Sequence, residues 1–476
     1  MKYTFTVAVT LWSALAALEG SGSPAISSLK KLNVAAVDAD GQPVTDLRAS
    51  DFQVFEDGKP KNIAFFRFTG GRAIPAALKA GEYSNRTGVP AQATVILVDL
   101  LSDRLLSGGV IGKEIGDALK KLESGNDVYL YFLTAHGEVF PVHGLPEAGS
   151  EETPSAEPWT RNAGPVLDLA VKKLVTLKPV DDHDLDIRFK QTSAALESLG
   201  GQIWQVPGRK NLVWVTHGVQ LIGYSMSGVL MDFTQPVRRM AEKFEEGQIA
   251  IYTVQQSTHG AAEDLVTYGG QTLDMFANLT GGRVYRTDES GTAIKQAMAD
   301  SHGNYRIAYE SDALNGNGKH HKIKVTCTRK GVRLQTEQEF YSLAVPPSAE
   351  DFERAVLEAA AASPLDATEI GLRGSLAREP GANSAHFELR IAPEDLLLRQ
   401  AQGRSVGKVS VNISTYDAED KATALPPKTV EIDLAAGDGI LVQQDVPMNA
   451  AVRKVRAVVV DKELRAAGSI TIPIAR

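Results

Sequence analysis

Between residues 93 and 310 the chain alternates almost unbroken apolar runs with stretches of helical spacing. TVILVDL, DVYLYFLT, KNLVWVT and QIAIYTV have the pattern of strands buried on both faces. Helical periodicity appears in GVIGKEIGDALKKLE, at 163–177 and 184–200, near 229–246, in TLDMFANL and at 290–300. A polar, Pro-rich loop is expected at 142–160, and RVYRT and GNYRIAYES close the segment. Strands alternating with helices predict an α/β domain, a doubly wound and mostly parallel sheet covered on both faces. In such sheets ligands gather at the carboxyl ends of the strands. Asp99, at the tip of the first apolar run, occupies that kind of position.

The flanks follow a different rhythm. Residues 29–70 alternate apolar and polar positions between the turn sequences DADGQPV and EDGKP, which predicts a small N-terminal β unit. A Gly/Ala/Pro-rich stretch, 69–92, links it to an α/β domain spanning 91–343. HKIKVTCTRKGVRLQTEQEFY reads as a hairpin turning at RKG. Residues 344–380 form a linker with a short helix, and 381–476 carry strand patterns separated by Gly, Pro and Asp, as in an antiparallel β-sandwich.

The first 25 residues change the compartment. One Lys, an apolar run from Tyr3 to Leu18, and ALA at Ala14–Ala16 follow signal-peptide grammar, so the chain is expected to be exported, to the periplasm or beyond. After removal of that segment no stretch is long enough to span a bilayer. A net charge of −8 gives no basic field to attract nucleic acid. The single Cys327 precludes an internal disulfide, and its alternating surroundings mark it as a strand residue.

Several stretches, in order, resemble the von Willebrand factor A (VWA)-related proteins of acidobacterial type. They are VDADGQPVTDLRASDFQVFEDGKPKNIAFF, PGRKNLVWVTHG, IAIYTVQ, NLTGGRVYRT and NYRIAYES with the KHHKIKVTC segment after it. The resemblance covers most of residues 32–341. It implies a VWA domain that works in adhesion or assembly rather than as an enzyme. It also implies a metal-ion-dependent adhesion site, an Asp-x-Ser-x-Ser sequence completed by a Thr and an Asp from later loops.

Here that sequence reads Asp99-Leu100-Leu101-Ser102-Asp103. Mg²⁺ requires six hard oxygen ligands. Asp99 and Asp103 can contribute, and so can Thr216 from VTHG, but Leu101 cannot, and His217 is a poor ligand for a hard cation. Thr192 is the weak candidate for the middle-loop Thr. The expected state is therefore a degenerate site without cofactor, in which Asp99 caps the strand-to-helix turn; the alternative is weak Mg²⁺ or Ca²⁺ binding. A protein partner would then meet the strand-end face at Leu101, Ser102, His217 and Gln256, within the loops 99–104, 216–224 and 255–263. An enzyme with an unrecognised site, metal-dependent or hydrolytic, is the competing class.

Three near-motifs fall away. SGGVIGKE departs from the phosphate-binding G-x-x-x-x-G-K-S/T at both ends, with Ser107 for the first Gly and Glu114 for the hydroxyl. GYSMSG places Ser227 where a nucleophile elbow needs Gly. His320 and His321, adjacent in a strand, point to opposite faces and cannot chelate one ion. TGGR reads as a folding device, with Gly281 and Gly282 supplying a left-handed helix cap.

Overall fold

Runs of branched and aromatic residues with no polar alternation can be satisfied only by burial on both sides, and four of them are. Ala93–Asp99, Val128–Leu133, Lys210–Thr216 and Ile249–Gln255 are strands in which every residue is buried. The structure is a computed structural model. It describes residues 29–69, 78–86, 93–101, 115–120, 122, 128–145, 159–175, 185–204, 209–216, 218, 222–224, 228–255, 263–286, 290–315, 317–342, 348–362, 366–379, 381–435 and 437–474.

The buried strands lie in one six-stranded sheet. Its order is Val284–Arg286, Ile249–Gln255, Lys210–Thr216, Ala93–Asp99, Val128–Leu133, Val139–His143. Pairing is parallel except at the last strand, which begins ahead of the stretch expected to be loop, 142–160, and overlaps it only at its last two residues. One face packs against the helices Leu185–Trp204, Thr234–Glu246 and Glu263–Thr280, through Leu199, Phe244, Leu273 and Phe276. The other packs against residues 115–119 and the helices Ala163–Val175 and Ser290–His302, through Leu119, Leu167 and Ile294. Among the described residues no helix is long and apolar enough to cross a membrane.

Among the described residues that sheet is one of six, and in the other five every pairing is antiparallel. Strand exceeds helix, 45% against 27%. The fold class expected from the sequence, a VWA-type doubly wound α/β fold, is corrected accordingly: the chain is predominantly β and mostly antiparallel. The cause of the misreading is physical. Continuous apolar runs stand out in a sequence, whereas half-buried strands leave a weaker alternating signal, and their partners lie far away in the chain.

The largest such effect is at the N-terminal end. Leu29–Val37 pairs with Asn304–Glu310 on one edge and with Arg333–Gln335 on the other. Ile63–Phe68 completes this sheet against Asn304–Glu310. A second sheet runs Glu339–Tyr341, His320–Cys327, Phe52–Glu56, Lys59–Lys61. Leu32, Val34, Phe52, Val54, Tyr305, Ile307 and Tyr309 form a common core. Segments from either side of the parallel sheet thus build one body. The hairpin expected around RKG does not form as one ladder: the strand before the turn joins one sheet and the strand after it joins the other.

Toward the C-terminus a pair of antiparallel sheets encloses Phe387, Leu389, Val411, Val459, Ile470 and Ile472. Glu82–Ser84, from the stretch read as linker, pairs there with Leu372–Ala377. Glu369 joins the three bodies. Its Oε1 accepts from Arg306 and from Gln248, its Oε2 accepts the Ala467 N–H at 3.1 Å, and its backbone oxygen accepts from Arg67 at 3.2 Å.

Candidate functional site

The strand-end face of the parallel sheet is organised by Asp99. Both the strand it ends and the neighbouring Lys210–Thr216 strand are fully buried, so their tips can be tied only by groups in the sheet itself. Asp99 Oδ2 accepts the Thr216 hydroxyl at 2.7 Å. Asp99 Oδ1 accepts the Leu101 N–H at 3.0 Å, and Thr216 Oγ1 accepts the Gly218 N–H at 2.9 Å. The two residues are 1% and 3% exposed, so this chain of bonds is shielded from water. It fixes the exits of two adjacent strands.

The structure therefore brings Asp99 and Thr216 together. Leu101 lies just beyond, part-buried, with its side chain against the helix-covered core and no oxygen to offer. Ser102, Asp103, His217 and Gln256 lie outside the described residues. Thr192 is buried in the helix Leu185–Trp204. As a cation site the described donor set does not fit. A hard cation requires six oxygens, and both Asp99 oxygens already accept hydrogen bonds within the loop. Among the described residues no group of three or more His, Cys, Asp or Glu converges.

Beside this pair stands a feature the sequence reading missed. Ile222–Tyr224 and Leu230–Asp232 form a small antiparallel ladder between the end of Lys210–Thr216 and the start of the helix Thr234–Glu246. Gly223 faces Met231, and Met231 packs onto the core beneath. The other face alternates outward, with Tyr224 directly opposite Leu230 and Ile222 opposite Asp232. Tyr224 is 71% exposed, Leu230 59%, Val229 56% and Ile222 47%. The following Phe233 is buried and stacks on Phe189 with ring centroids 3.9 Å apart, which anchors the base of the ladder. Three large apolar side chains on one short ladder, with Val229 just ahead of its second strand, amount to an apolar patch, whereas single exposed ones would need no explanation. The signal in the sequence is the alternation Ile222-x-Tyr224 before a Ser/Gly turn. Val229 to Met231 reads instead as the start of the next helix, because that helix follows without a break in hydrophobicity.

The near-motifs find structural roles. His321 Nδ1 lies 2.7 Å from Asp57 Oδ2, and His320 packs its ring on Tyr341 at 5.1 Å, so the two do diverge. Gly281 has φ +72° and caps the helix Glu263–Thr280. Gly282 has a different reason to be glycine: a Cβ there would stand 1.9 Å from the Ile251 carbonyl oxygen.

No protein-family model matches the chain, and no curated protein matches it. Among solved structures, it is similar to an aerotolerance-related membrane protein from Bacteroides fragilis NCTC 9343, at 12% identity and a TM-score of 0.25, over 45% of this chain and 98% of that one. A mutant of the PilB minor pilin from Streptococcus sanguinis aligns at 12% identity and a TM-score of 0.26, over 44% and 59% of the two chains. The pilus adhesin SpaC from Lactobacillus rhamnosus GG aligns at 10% identity and a TM-score of 0.25, over 88% and 57%. The alignments thus take in less than two thirds of either pilus protein's length.

Proposed function

We propose that this is an exported binding protein, without enzymatic activity, that captures a protein partner through the strand-end face of its parallel sheet. The observation that carries the reading is the exposed apolar ladder of Ile222, Tyr224 and Leu230, with Val229 beside it. Tyr and the aliphatics offer a large apolar contact area, the composition of an interface centre. The Asp99–Thr216 pair supports the reading by holding the neighbouring strand exits fixed. It spends its oxygens on the loop itself, consistent with a positioning role rather than with chemistry. Export rests on the apolar Tyr3–Leu18 run behind Lys2.

The experiment is a comparative capture from the native envelope with the full chain as bait. The Tyr224→Ser/Leu230→Ser variant is expected to fold as the parent does and to lose the specifically captured protein. Equal capture by both would refute the reading.

A further inference from the structure

The C-terminal pair of sheets has a long edge that is left open. One sheet runs Ile440–Pro447, Ser384–Ile391, Leu372–Ala377, Glu82–Ser84, so Ile440–Pro447 is an outermost strand. Its whole length pairs with Ser384–Ile391, and in the same register the Met448 N–H donates to the Asn383 oxygen at 2.8 Å. Backbone groups of alternate residues point to the same edge, so Ile440, Val442, Gln444 and Val446 direct theirs to Ser384–Ile391. Leu441, Gln443 and Asp445 turn their N–H and C=O groups the other way. Among the described residues no strand lies there. Pro447, at the end of the row, has only an oxygen to offer on that side.

An open edge invites pairing unless charge, proline or a bulge blunts it. The outer strand of the facing sheet, Lys428–Leu434, is blunted by Lys428, Glu431 and Asp433, all exposed. Ile440–Pro447 is not protected in that way. Its ladder is regular, and its one charge, Asp445, already meets His386 Nδ1 at 3.1 Å. Ile440, Val442 and Val446 face the core, whereas Leu441, Gln443, Asp445 and Pro447 stand outward, Leu441 44% exposed.

We propose that this edge pairs with the same edge of a second copy of the chain, antiparallel about a two-fold axis, so that one sheet continues into the next. The occupant follows from the fit of the strand to itself. With the axis at Gln444, Val442 lies opposite the second copy's Val446 on the core side, and Leu441 opposite the second copy's Pro447 on the outer side. Gln443 meets the second copy's Asp445, an amide against a carboxylate, and Gln444 meets its own counterpart. Every outward N–H then finds an oxygen. Gln443 and Asp445 exchange bonds, and Leu441 donates to Pro447, whose missing N–H is not called upon. An axis at Gln443 would instead set Leu441 against Asp445 and Val442 against Gln444, so the side chains select the first register. One strand from each copy buries less than a permanent dimer does, so the dimer is weak and concentration-dependent.

The test uses the full chain. Sedimentation over a range of concentrations should show a reversible monomer–dimer equilibrium, with amide exchange at Leu441, Gln443 and Asp445 slowing as the dimer fills. Gln443→Pro removes only an outward N–H and is expected to melt close to the parent while remaining a monomer. Gln443→Lys, set opposite Asp445, should tighten the dimer about threefold or more, and Gln443→Asp should loosen it by a similar factor. In a Cys327→Ser background, Gln444→Cys should cross-link the copies on mild oxidation, and Gln443→Cys should not. Residues opposed at a non-hydrogen-bonded position have Cα atoms about 4.5 Å apart, within reach of a disulfide. A monomer at every concentration, a dimer that persists in Gln443→Pro, one response to both charges, or equal cross-linking at the two positions would overturn the proposal. So would loss of the dimer in Tyr224→Ser/Leu230→Ser, which would place the contact on the strand-end face; that variant is expected to dimerise as the parent does.

Discussion

At the scale of residues, the pair formed by Asp99 and Thr216 is a structural tie with a measurable worth. Asp99→Ala leaves the buried Thr216 hydroxyl and the part-buried Leu101 N–H without their acceptor. A loss of about 1–3 kcal/mol is expected in urea unfolding, and it should be the same with and without chelator. A loss that appears only after metal removal from the parent would contradict the tie. The position of Asp99 was readable from the sequence, because an apolar run ending on a carboxylate marks a strand tip. Its capping of the turn through the Leu101 N–H was expected too, but its tie to Thr216 was not readable, since that residue comes from a distant strand. Buried charge makes a second prediction. Burial lowers the Lys210 ammonium to about 7, with Glu369 opposing and Arg306 adding to the effect. Between pH 7 and the ordinary value of 10.5 the unfolded chain holds a proton that the folded chain has released, so stability rises with pH across that window. Lys210→Met should flatten the rise, as read by denaturant midpoints at a series of pH values. An unchanged slope would place the titration elsewhere.

At the scale of elements, the four buried strands and most helices of the central segment were legible, because their hydrophobic pattern is local. The ladder Ile222–Asp232 was not: three-residue strands leave too short an alternation to separate from the helix that follows. Nor was the parting of the strands around RKG, which is decided by distant partners, Phe52–Glu56 for one and Leu29–Val37 for the other. The two glycines of TGGR separate two effects that the sequence reading merged. Gly281→Ala forces a side chain into the left-handed region, at about 1–2 kcal/mol. Gly282→Ala drives a methyl group into the Ile251 carbonyl, and the backbone there is held in the sheet. It should cost about 4 kcal/mol or more, shown as a loss of the folded baseline in thermal melts. Similar stabilities for the two variants would contradict the distinction.

At the scale of the whole molecule, one linker residue joins three bodies. Burial alone would raise the Glu369 carboxyl, but Arg306 and Lys31 outweigh it and hold it at about 2. Its contribution is therefore present above the ordinary value of 4.5 and is lost as pH falls from there toward 2. Glu369→Ala leaves the buried Arg306 without its carboxylate, a change worth about 3–5 kcal/mol. The parent is expected to melt in one calorimetric transition and the variant in two, with the C-terminal sheets melting apart from the rest; one undivided transition in the variant would mean that other contacts couple the bodies. On the proposed reading the apolar ladder is the docking surface. The most direct test of that claim is capture by the full chain with Tyr224 and Leu230 both changed to Asp. The account predicts an unfolding midpoint close to that of the parent, together with loss of the protein that the parent captures. Undiminished capture by a folded variant would contradict it.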